Sequence, residues 1–409
     1  MLPLLALGQA TDPAALRKYS AKHPQDPEPY FQLGLHYAKE GNITAIRRYF
    51  GKLEELAPEY PNALAHYYWA VIDYTDERYE EAVLHLNQYF ELVAGHTPQP
   101  PLQGERGGKE TPLLVYEEAS NYLYWSQFLS EALLNQVPFN PEVIPGVSSR
   151  SEEMLPYLTW DGQEFYYLRM VEEKQPASFY TKNNIRKVPM LCVSRRKDST
   201  FTAGEPLPYP FNQGAAEGSV TLTADGKEIY FTRQNGKSFD IYMAERKDGV
   251  WQEAVPLGPQ VNDPKAWDAQ PSVTPDGKYL YFASNRAGGQ GGTDLYRCHR
   301  LPNGDWSRAQ NLGESVNTPG NEKSPFIGGD SRTLFFASNG WQGFGGYDMY
   351  FIQLESGAIR PTNLGMPING EADEAGFGVT ADGRYGYFAN KDIFLFELYP
   401  DARPAPYKP

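Results

Sequence analysis

Five carboxylates recur along the second half of the chain at the same place in a repeated pattern. Each stands eight residues before an Asp-Gly or Asp-Ser dipeptide, and the five are Glu153, Glu217, Asp268, Glu322 and Glu374. If the repeats are arranged around an axis, equivalent residues lie on a circle, and these acids would converge near one mouth of a central channel. Clustered oxygen ligands suit calcium. The chemistry that this acidic ring could support is therefore the binding of a cation.

A second interpretation gives the same carboxylates a structural role. A residue that recurs in every repeat commonly serves the repeat, by accepting hydrogen bonds from the backbone or from a neighbouring repeat. A symmetrical ring is also a poor catalyst, because a general acid and a general base need different environments to separate their pKa values. We favour the structural role for the ring, with a calcium site as the alternative.

The chain offers little for nucleophilic catalysis. Residues 140–400 contain one histidine, His299, and no Gly-x-Ser-x-Gly motif, so a hydrolase triad would have no other imidazole to use. Cys192 and Cys298 are too few for a disulfide framework, and their number and spacing do not fit a zinc site. We predict no catalytic residue, no bound cofactor other than the calcium alternative, and a protein that is not an enzyme.

The elements that would position the ring are visible as an internal repeat. The Asp-Gly or Asp-Ser dipeptide marks a tight turn between two β-rich runs, and its five copies are Asp161-Gly162, Asp225-Gly226, Asp276-Gly277, Asp330-Ser331 and Asp382-Gly383. An aromatic pair follows five and six residues later in every copy, as in Tyr281-Phe282. Four copies then carry Asp, an aliphatic residue or Met, and an aromatic residue, as in Asp294-Leu295-Tyr296.

Each repeat of about 52 residues supplies three or four short strands, too few to bury both faces of their sheet. Radial stacking of such sheets predicts an all-β five-bladed propeller. A second marker, which consists of Leu or Val, three residues, an apolar or aromatic residue and then Asn or Ser, ends four of the repeats. One copy at 143–148 precedes the first repeat, and the last repeat lacks one. We expect this segment to complete the last blade. A six-bladed ring is the alternative, with the extended segment Met170–Asn184 as the place for an additional blade.

The first part of the chain has a helical period. Tyr30, Leu33, Gly34, Tyr37, Phe50 and Pro58 occupy the large, small and terminating positions of a tetratricopeptide repeat. A second pair follows around Ala70, and Leu113–Val137 is predicted to form one long helix after a Pro/Gly-rich loop, Thr97–Glu110. The predicted fold class is an α+β multidomain protein, with all-α tetratricopeptide-like repeats before the propeller.

These patterns divide the chain into four parts. We expect a possible signal-peptide remnant at 1–10, helical repeats at 11–139, the propeller at 140–400 and a tail or linker at 401–409. The first part has a short apolar run and a small-x-small pair, without a positively charged start.

The charge and hydropathy of the chain exclude several classes of partner. Its 37 Lys and Arg against 51 Asp and Glu give a net charge of −14, which repels phosphate backbones, so nucleic acid is not an expected partner. No apolar run approaches the roughly 18 residues that a membrane helix requires.

The carboxylate, turn, Tyr-Phe, Ser-Asn-Arg and Asp-Leu-Tyr series between 268 and 296 resembles the PD40 (WD40-like) repeat of TolB-type periplasmic propellers. Together with the helical repeats, the arrangement is similar to envelope proteins of Bacteroidetes, among them the type IX secretion subunit that ends in an OmpA-like domain. Those proteins often begin with a lipid-modified cysteine, which this N-terminus lacks. The chain stops at ARPAPYKP, where the next domain would begin, so a peptidoglycan link is not implied.

The resemblance implies a non-enzymatic periplasmic scaffold or adaptor, associated with the outer membrane. Its partners would be envelope or outer-membrane proteins, with a role in secretion or assembly. The alternative is a glycan- or cation-binding propeller, which could include a glycan-processing enzyme. That alternative predicts a deep, asymmetric axial pocket lined by two or more carboxylates.

Overall fold

The computed structural model describes residues 12–94, 115–174, 185–355 and 357–408, and the chain divides into two compact units, Met1–Asn135 and Gln136–Pro409. The signal-peptide remnant expected at 1–10 and the loop expected at Thr97–Glu110 lie outside the described residues. So does the part of Met170–Asn184 that follows Lys174.

The first unit consists of helices. Their bounds are α1 Pro13–Lys22, α2 Glu28–Lys39, α3 Ile43–Leu56, α4 Ala63–Thr75, α5 Tyr79–Ala94 and α6 Tyr116–Leu134. Side chains that accept hydrogen bonds from free backbone N–H groups fix several of their starts. Asn42 accepts from Ala45 N at the start of α3, and Asn62 accepts from Leu64 N at the start of α4.

The helices pack as antiparallel hairpins with a close contact at Gly34. A Cβ atom built on Gly34 would lie 2.6 Å from the Phe50 ring, so α2 and α3 approach as closely as they do only because this position has no side chain. Phe50 is fully buried, and its carbonyl accepts a 2.8 Å hydrogen bond from Trp69 Nε1 of α4. The contact at Gly34 has the geometry that the small residue predicts, while membership of the tetratricopeptide family stays a prediction.

Helix α6 ends earlier than the sequence indicates. It runs from Tyr116 to Leu134, and both the backbone N–H and the side-chain amide of Asn135 donate to the carbonyl of Glu131. Val137 instead donates its N–H to Met366 O, within the second unit. The prediction of a helix to Val137 is therefore wrong by three residues, and Leu113 lies outside the described residues.

The second unit is a propeller of five antiparallel sheets, which confirms the five-bladed prediction. Blades 1 and 2 contain β2 Glu153–Leu158, β3 Glu164–Lys174, β4 Ile185–Lys197, β5 Thr200–Phe201 and β6 Glu205–Pro206, then β7 Glu217–Leu222, β8 Glu228–Asn235, β9 Ser238–Lys247, β10 Val250–Trp251 and β11 Val255–Pro256. Blades 3 and 4 contain β12 Asp268–Val273, β13 Tyr279–Ser284, β14 Asp294–His299 and β15 Gln310–Asn311, then β16 Glu322–Ile327, β17 Thr333–Ser338, β18 Asp348–Gln353 and β19 Thr362–Asn363. Blade 5 contains β20 Gly378–Val379, β21 Tyr385–Asn390, β22 Asp392–Glu397 and the early strand β1 Glu142–Val143.

The ring closes through strand β1, which comes from the start of the second unit. Glu142 pairs with Leu395 and Val143 with Phe394, and Ile144 N donates to Ile393 O at 2.9 Å. This pairing covers an edge that the last blade would otherwise expose. The additional residues of the first repeat lengthen the hairpin of β3 and β4, which pair from Glu164↔Arg195 to Lys174↔Ile185.

The Asp-Gly turns owe their recurrence to backbone geometry. In blade 3, Asp276 accepts hydrogen bonds from Thr274 Oγ1 and Lys278 N, and Gly277 adopts a φ of +71°. Asp and Gly are suited to such a turn because a short carboxylate can bond its own backbone and glycine tolerates positive φ. In the fourth repeat Ser331 takes the glycine's place with a φ of +57°.

The Asn marker also has a structural role. Asn262 accepts from Ile241 N and donates to Ile241 O, so its amide acts like one more strand residue against β9. Asn212, Asn317 and Asn369 bracket Leu191, Leu295 and Met349 in the same way. In the closing segment, Ser148 Oγ accepts from Ile393 N.

Within the described ranges, no helix has both the length and the apolar character that crossing a membrane requires.

Candidate functional site

The five repeated carboxylates stand beside the propeller axis without lining it. Four of them open the first strand of their blade, and Glu374 lies four residues before β20. Two residues after each acid the chain adopts a positive φ, and these residues are Leu155, Ser219, Gln270, Ser324 and Gly376. In blades 1–4 a register shift accompanies this conformation, which is a β-bulge. The bulge turns the acid away from the axis.

The residues after the bulge line the axial cavity. This cavity measures about 50 Å³, and Ser219, Gln270 and Ser324 contribute its polar wall. Adjacent blades are linked here, because Ser324 N donates to Gln270 Oε1 and Gln270 N donates to Thr232 Oγ1. A space of this size holds a few water molecules at roughly 10–15 Å³ each. The structure therefore does not bring the acidic ring together at a channel mouth.

In blades 1 to 3 each carboxylate is bound by an arginine of the second strand or the turn that follows it. Arg169 Nε donates to Glu153 at 2.9 Å and Arg233 Nε donates to Glu217 at 2.8 Å, while Arg286 donates to Asp268. A backbone N–H from the preceding turn adds a second bond, from Ser149, Asn212 and Asp263 respectively.

Each of these arginines also stacks on aromatic rings. The guanidinium carbon of Arg233 lies 4.9 Å from the centroid of Phe231 and 5.0 Å from that of Tyr242. Arg286 lies 5.0 Å from Phe282 and 4.8 Å from Tyr296. These distances are within the range of cation–π attraction. In blades 2 and 3 the second member of the aromatic pair and the aromatic residue of the Asp-aliphatic-aromatic series therefore form one wall of a guanidinium site inside the blade.

Blade 4 binds its carboxylate with neutral donors. Glu322 accepts from Thr318 N, Thr318 Oγ1 and Ser338 Oγ, at 2.9, 2.6 and 2.7 Å. Burial raises the pKa of Glu322, and these hydrogen bonds oppose the shift. Trp341 Nε1 donates to Val316 O at 2.9 Å, as Arg169 Nη2 donates to Val147 O in blade 1. The indole thus takes over one contact of the arginine.

Blade 5 holds its carboxylate through backbone N–H groups. Glu374 is half-buried and accepts from Gly370 N at 3.3 Å. Burial raises its pKa to about 7, and the neighbouring carboxylates Asp348 and Asp373 act in the same direction. Glu374 lines a cavity of about 430 Å³ with Phe388 and Phe394, which we call the Glu374 cavity.

Two of the four Asp residues of the Asp-aliphatic-aromatic series cap glycine-rich loops. Asp294 accepts from Gln290 N, Gly291 N and Asn311 Nδ2, and Asp348 accepts from Phe344 N and Gly345 N. Both carboxylates are buried. This capping accounts for the Asp residue in blades 3 and 4 without any ligand contact.

The remaining nucleophiles and imidazoles of the propeller are poorly placed for catalysis. His299 is exposed at the end of β14. Cys192 and Cys298 are buried free thiols, and burial raises their pKa to about 11 and about 12. Among the residues that the structure describes, no three His, Cys, Asp or Glu side chains form a group that could hold a metal ion.

The helical unit contains a polar cluster that the sequence pattern does not reveal. His66 Nδ1 lies 3.4 Å from His85 Nδ1, and His85 Nε2 lies 3.2 Å from Glu54 and 3.6 Å from Asp73. Burial lowers the pKa of His66 to about 4, and His85 adds to the effect. These residues come from three helices, and their sequence spacing has no metal-ligand signature.

The sequence matches no protein-family model and no curated protein. Similar solved structures include TolB from Acinetobacter baumannii, at 18% identity over 63% of this chain and 54% of that one, with a TM-score of 0.41. An α-L-arabinofuranosidase from Lactobacillus brevis matches at 16% identity over 65% of this chain and 98% of that one, with a TM-score of 0.36. A structure of prolyl endopeptidases matches at 16% identity over 63% and 41%, with a TM-score of 0.34. The chain spans about half the length of the TolB structure, and the propeller assignment depends on the strand pairing described above.

Proposed function

We propose that this protein is a non-enzymatic scaffold of the periplasm, which binds protein partners of the cell envelope through its helical unit and its propeller. Outer-membrane or secretion components are the partners that fit the envelope resemblance. The observation that carries the proposal is the use of the repeated polar side chains. In blades 1 to 4 the carboxylates and their donors bind one another inside the blade, and they are not directed into a substrate pocket.

The helical unit offers an open surface on α6. Only Ala119 and Ser126 of this 19-residue helix are buried, while Tyr124 and Leu134 are 53% and 72% exposed. Exposed aromatic and aliphatic side chains are typical anchors of protein interfaces. The net charge of −14 favours partners that present basic surfaces.

The glycan-processing alternative requires a deep axial pocket with carboxylates. The axial cavity has a volume of about 50 Å³, and its walls consist of the bulge residues and their neighbours, which include no acid. Ligand pockets usually measure about 300–1,000 Å³. The axial cavity therefore does not supply the pocket that this alternative requires.

The proposal is tested by crosslinking intact cells of the native host that express the tagged protein, followed by identification of the recovered envelope proteins. We expect outer-membrane or secretion proteins, with some crosslinks mapping to α6. Leu134→Glu should reduce recovery of the α6 partner at least tenfold, because a charge replaces an exposed anchor. Glu131→Gln, on an exposed position of the same helix, is the control and should leave recovery unchanged. Recovery of self-links alone would refute the scaffold.

A further inference from the structure

Blades 2 and 3 show how this fold holds a guanidinium group. The group lies against two aromatic rings, contacts the repeated carboxylate and donates to a carbonyl before the first strand. In blade 2, Arg233 meets Glu217 at 2.8 Å and Pro210 O at 2.6 Å, over Phe231 and Tyr242. Arg286 does the same in blade 3, with Asp268 and Val261 O. Carboxylate, carbonyl and ring pair therefore constitute the site.

Blade 5 retains these groups but has no arginine to occupy them. Its ring pair is Phe388 and Phe394, which stack with centroids 5.4 Å apart, and the equivalent pairs of blades 2 and 3 are 6.2 and 6.1 Å apart. The residue 16 positions after the carboxylate is arginine in blades 1 and 2, whereas in blade 5 it is Asn390. In blade 3 the arginine stands 18 positions after the acid, and in blade 5 that residue is Asp392.

A cavity lies where the arginine guanidinium lies in blades 2 and 3. Glu374, Asn390, Phe388 and Phe394 all line it, together with Ile368. Ile368 precedes Asn369, as Val261 precedes Asn262 in blade 3. The cavity forms because the first strand of blade 5 is short: β20 has two residues, whereas β7, β12 and β16 have six. Its volume of about 430 Å³ leaves room for a guanidinium and the alkyl chain that carries it.

The charges around the cavity favour a cation. Asp348 and Asp373 lie close enough to Glu374 to raise its pKa, and the described cation Lys323 interacts with Asp373. Lys323 lies over the Tyr347 ring, near Asp373. A guanidinium fits better than an ammonium because it is planar, weakly hydrated and able to stack on rings while donating to a carboxylate.

We propose that the Glu374 cavity binds a guanidinium group from another molecule, between the Glu374 carboxylate and the rings of Phe388 and Phe394. The group can belong to an arginine side chain of a protein partner or to a free guanidinium compound. With the first source, the inference deepens the proposed scaffold function by naming what the partner presents. With the second source, the site does not depend on the proposed scaffold function.

The binding test uses small probes and the full-length chain at pH 8, where the Glu374 carboxyl is ionised. Ethylguanidinium and L-arginine amide should show saturation-transfer NMR signals with affinities on the order of 1 mM. Ethylurea, which has the same shape without the charge, should bind at least tenfold more weakly, and ethylammonium should also bind more weakly. Equal binding of ethylurea and ethylguanidinium would overturn the proposal. So would the absence of ethylguanidinium binding at about 20 times the expected Kd.

Three variants locate the binding. Asn390→Arg supplies an arginine at the spacing used by Arg233 and should raise Tm by about 2 °C or more while abolishing probe binding. Glu374→Gln removes the charge with little change of shape and should weaken binding at least tenfold. Glu371→Gln removes a charge from an exposed position in the same loop and should bind like the wild type. Unchanged probe binding in Glu374→Gln would overturn the proposal, even if Asn390→Arg fails to fold.

The source of the guanidinium is distinguished by peptides and by cells. An acetylated Gly-Arg-Gly amide that binds at least tenfold more tightly than L-arginine amide indicates a protein partner, while equal binding indicates a free compound. In the native host, Asn390→Arg should then remove the crosslinked partner of the propeller and leave the partner of α6. Probe binding without any crosslinked partner supports the site and rejects the scaffold, so the two proposals fail separately.

Discussion

Blades 1 to 3 and blade 5 begin with the same carboxylate in the same turn, yet the two environments differ. In blades 1 to 3 an arginine of the same blade neutralises the acid, and it stacks on one aromatic ring in blade 1 and on the ring pair in blades 2 and 3. In blade 5 the acid has Asn390 in place of the arginine, a raised pKa of about 7 and a cavity beside it. A repeated residue therefore shares its position with its equivalents, while its partners decide whether it stabilises the fold or binds a ligand.

The largest expected effect comes from removing an arginine in blade 2. Arg233→Ala leaves the buried carboxylate of Glu217 without its cation, and we expect a loss of about 3–5 kcal/mol in the free energy of unfolding. Urea denaturation measures this loss. Arg384→Ala is the control, since Arg384 pairs with Glu397 at the surface and should cost at most about 1 kcal/mol. Equal losses in the two variants would contradict the role assigned to the arginine.

The next effect concerns the acid of blade 5 and depends on pH. The folded pKa of Glu374 is raised from 4.5 to about 7, so the folded protein retains a proton that the unfolded chain loses between these values. The associated stability is present below pH 4.5 and lost as pH rises through 7. Glu374→Gln stays neutral, and at pH 8 it should be more stable than the wild type by about 1–3 kcal/mol after allowance for partial exposure.

Unfolding curves at pH 4.5 and pH 8 check this expectation. The gain should disappear at pH 4.5, where the wild-type carboxyl is protonated as well. A destabilised Glu374→Gln at pH 8 would show that the carboxylate has a cationic partner and would remove the contrast between the blades.

A smaller effect is expected in blade 4, where an indole replaces one arginine contact. Trp341→Phe removes the hydrogen bond to Val316 O and retains most of the ring, which should cost about 1 kcal/mol. Thermal unfolding measures the change, and Trp306→Phe, at a buried tryptophan of blade 3, is the comparison. No loss in Trp341→Phe would mean that the Val316 carbonyl does not require its donor.

The smallest effect is expected at Asn390, the blade 5 position that corresponds to Arg233. Asn390→Ala should change the free energy of unfolding by no more than about 0.5 kcal/mol, because Asn390 lines a cavity and holds no buried charge. The urea curves used for Arg233→Ala give a direct comparison. A loss similar to that of Arg233→Ala would mean that Asn390 substitutes for the arginine.

The repeat allowed the fold to be predicted because turn, aromatic pair and closing marker keep one register. Asp-Gly and the Asn marker each satisfy a local backbone requirement, as Gly277 and Asn262 show, so their spacing reports the blade directly. The end of α6 was not predictable from helical periodicity. Val137 is apolar and fits the pattern, but it belongs to the second unit, where its N–H donates to Met366 O.

The site was less predictable than the fold. The equivalent positions of the acids in the sequence repeats predicted that they lie on a circle. They did not show that a bulge with positive φ at Leu155 or Gln270 turns the acid away from the axis. The arginine partners of Glu153 and Glu217 could have been found by counting 16 residues from each acid. The same count shows Asn390 in blade 5, but the cavity beside it depends on where β20 begins, which sequence periodicity does not determine.

The most direct test of the contrast between blades 2 and 5 is a crystal structure of the wild-type protein with L-arginine amide at pH 8. We expect guanidinium density within hydrogen-bond distance of the Glu374 carboxylate and stacked on Phe388 and Phe394, in the arrangement of Arg233 with Glu217, Phe231 and Tyr242. Guanidinium density at other surface acids, with none beside Glu374 at a saturating concentration, would contradict it.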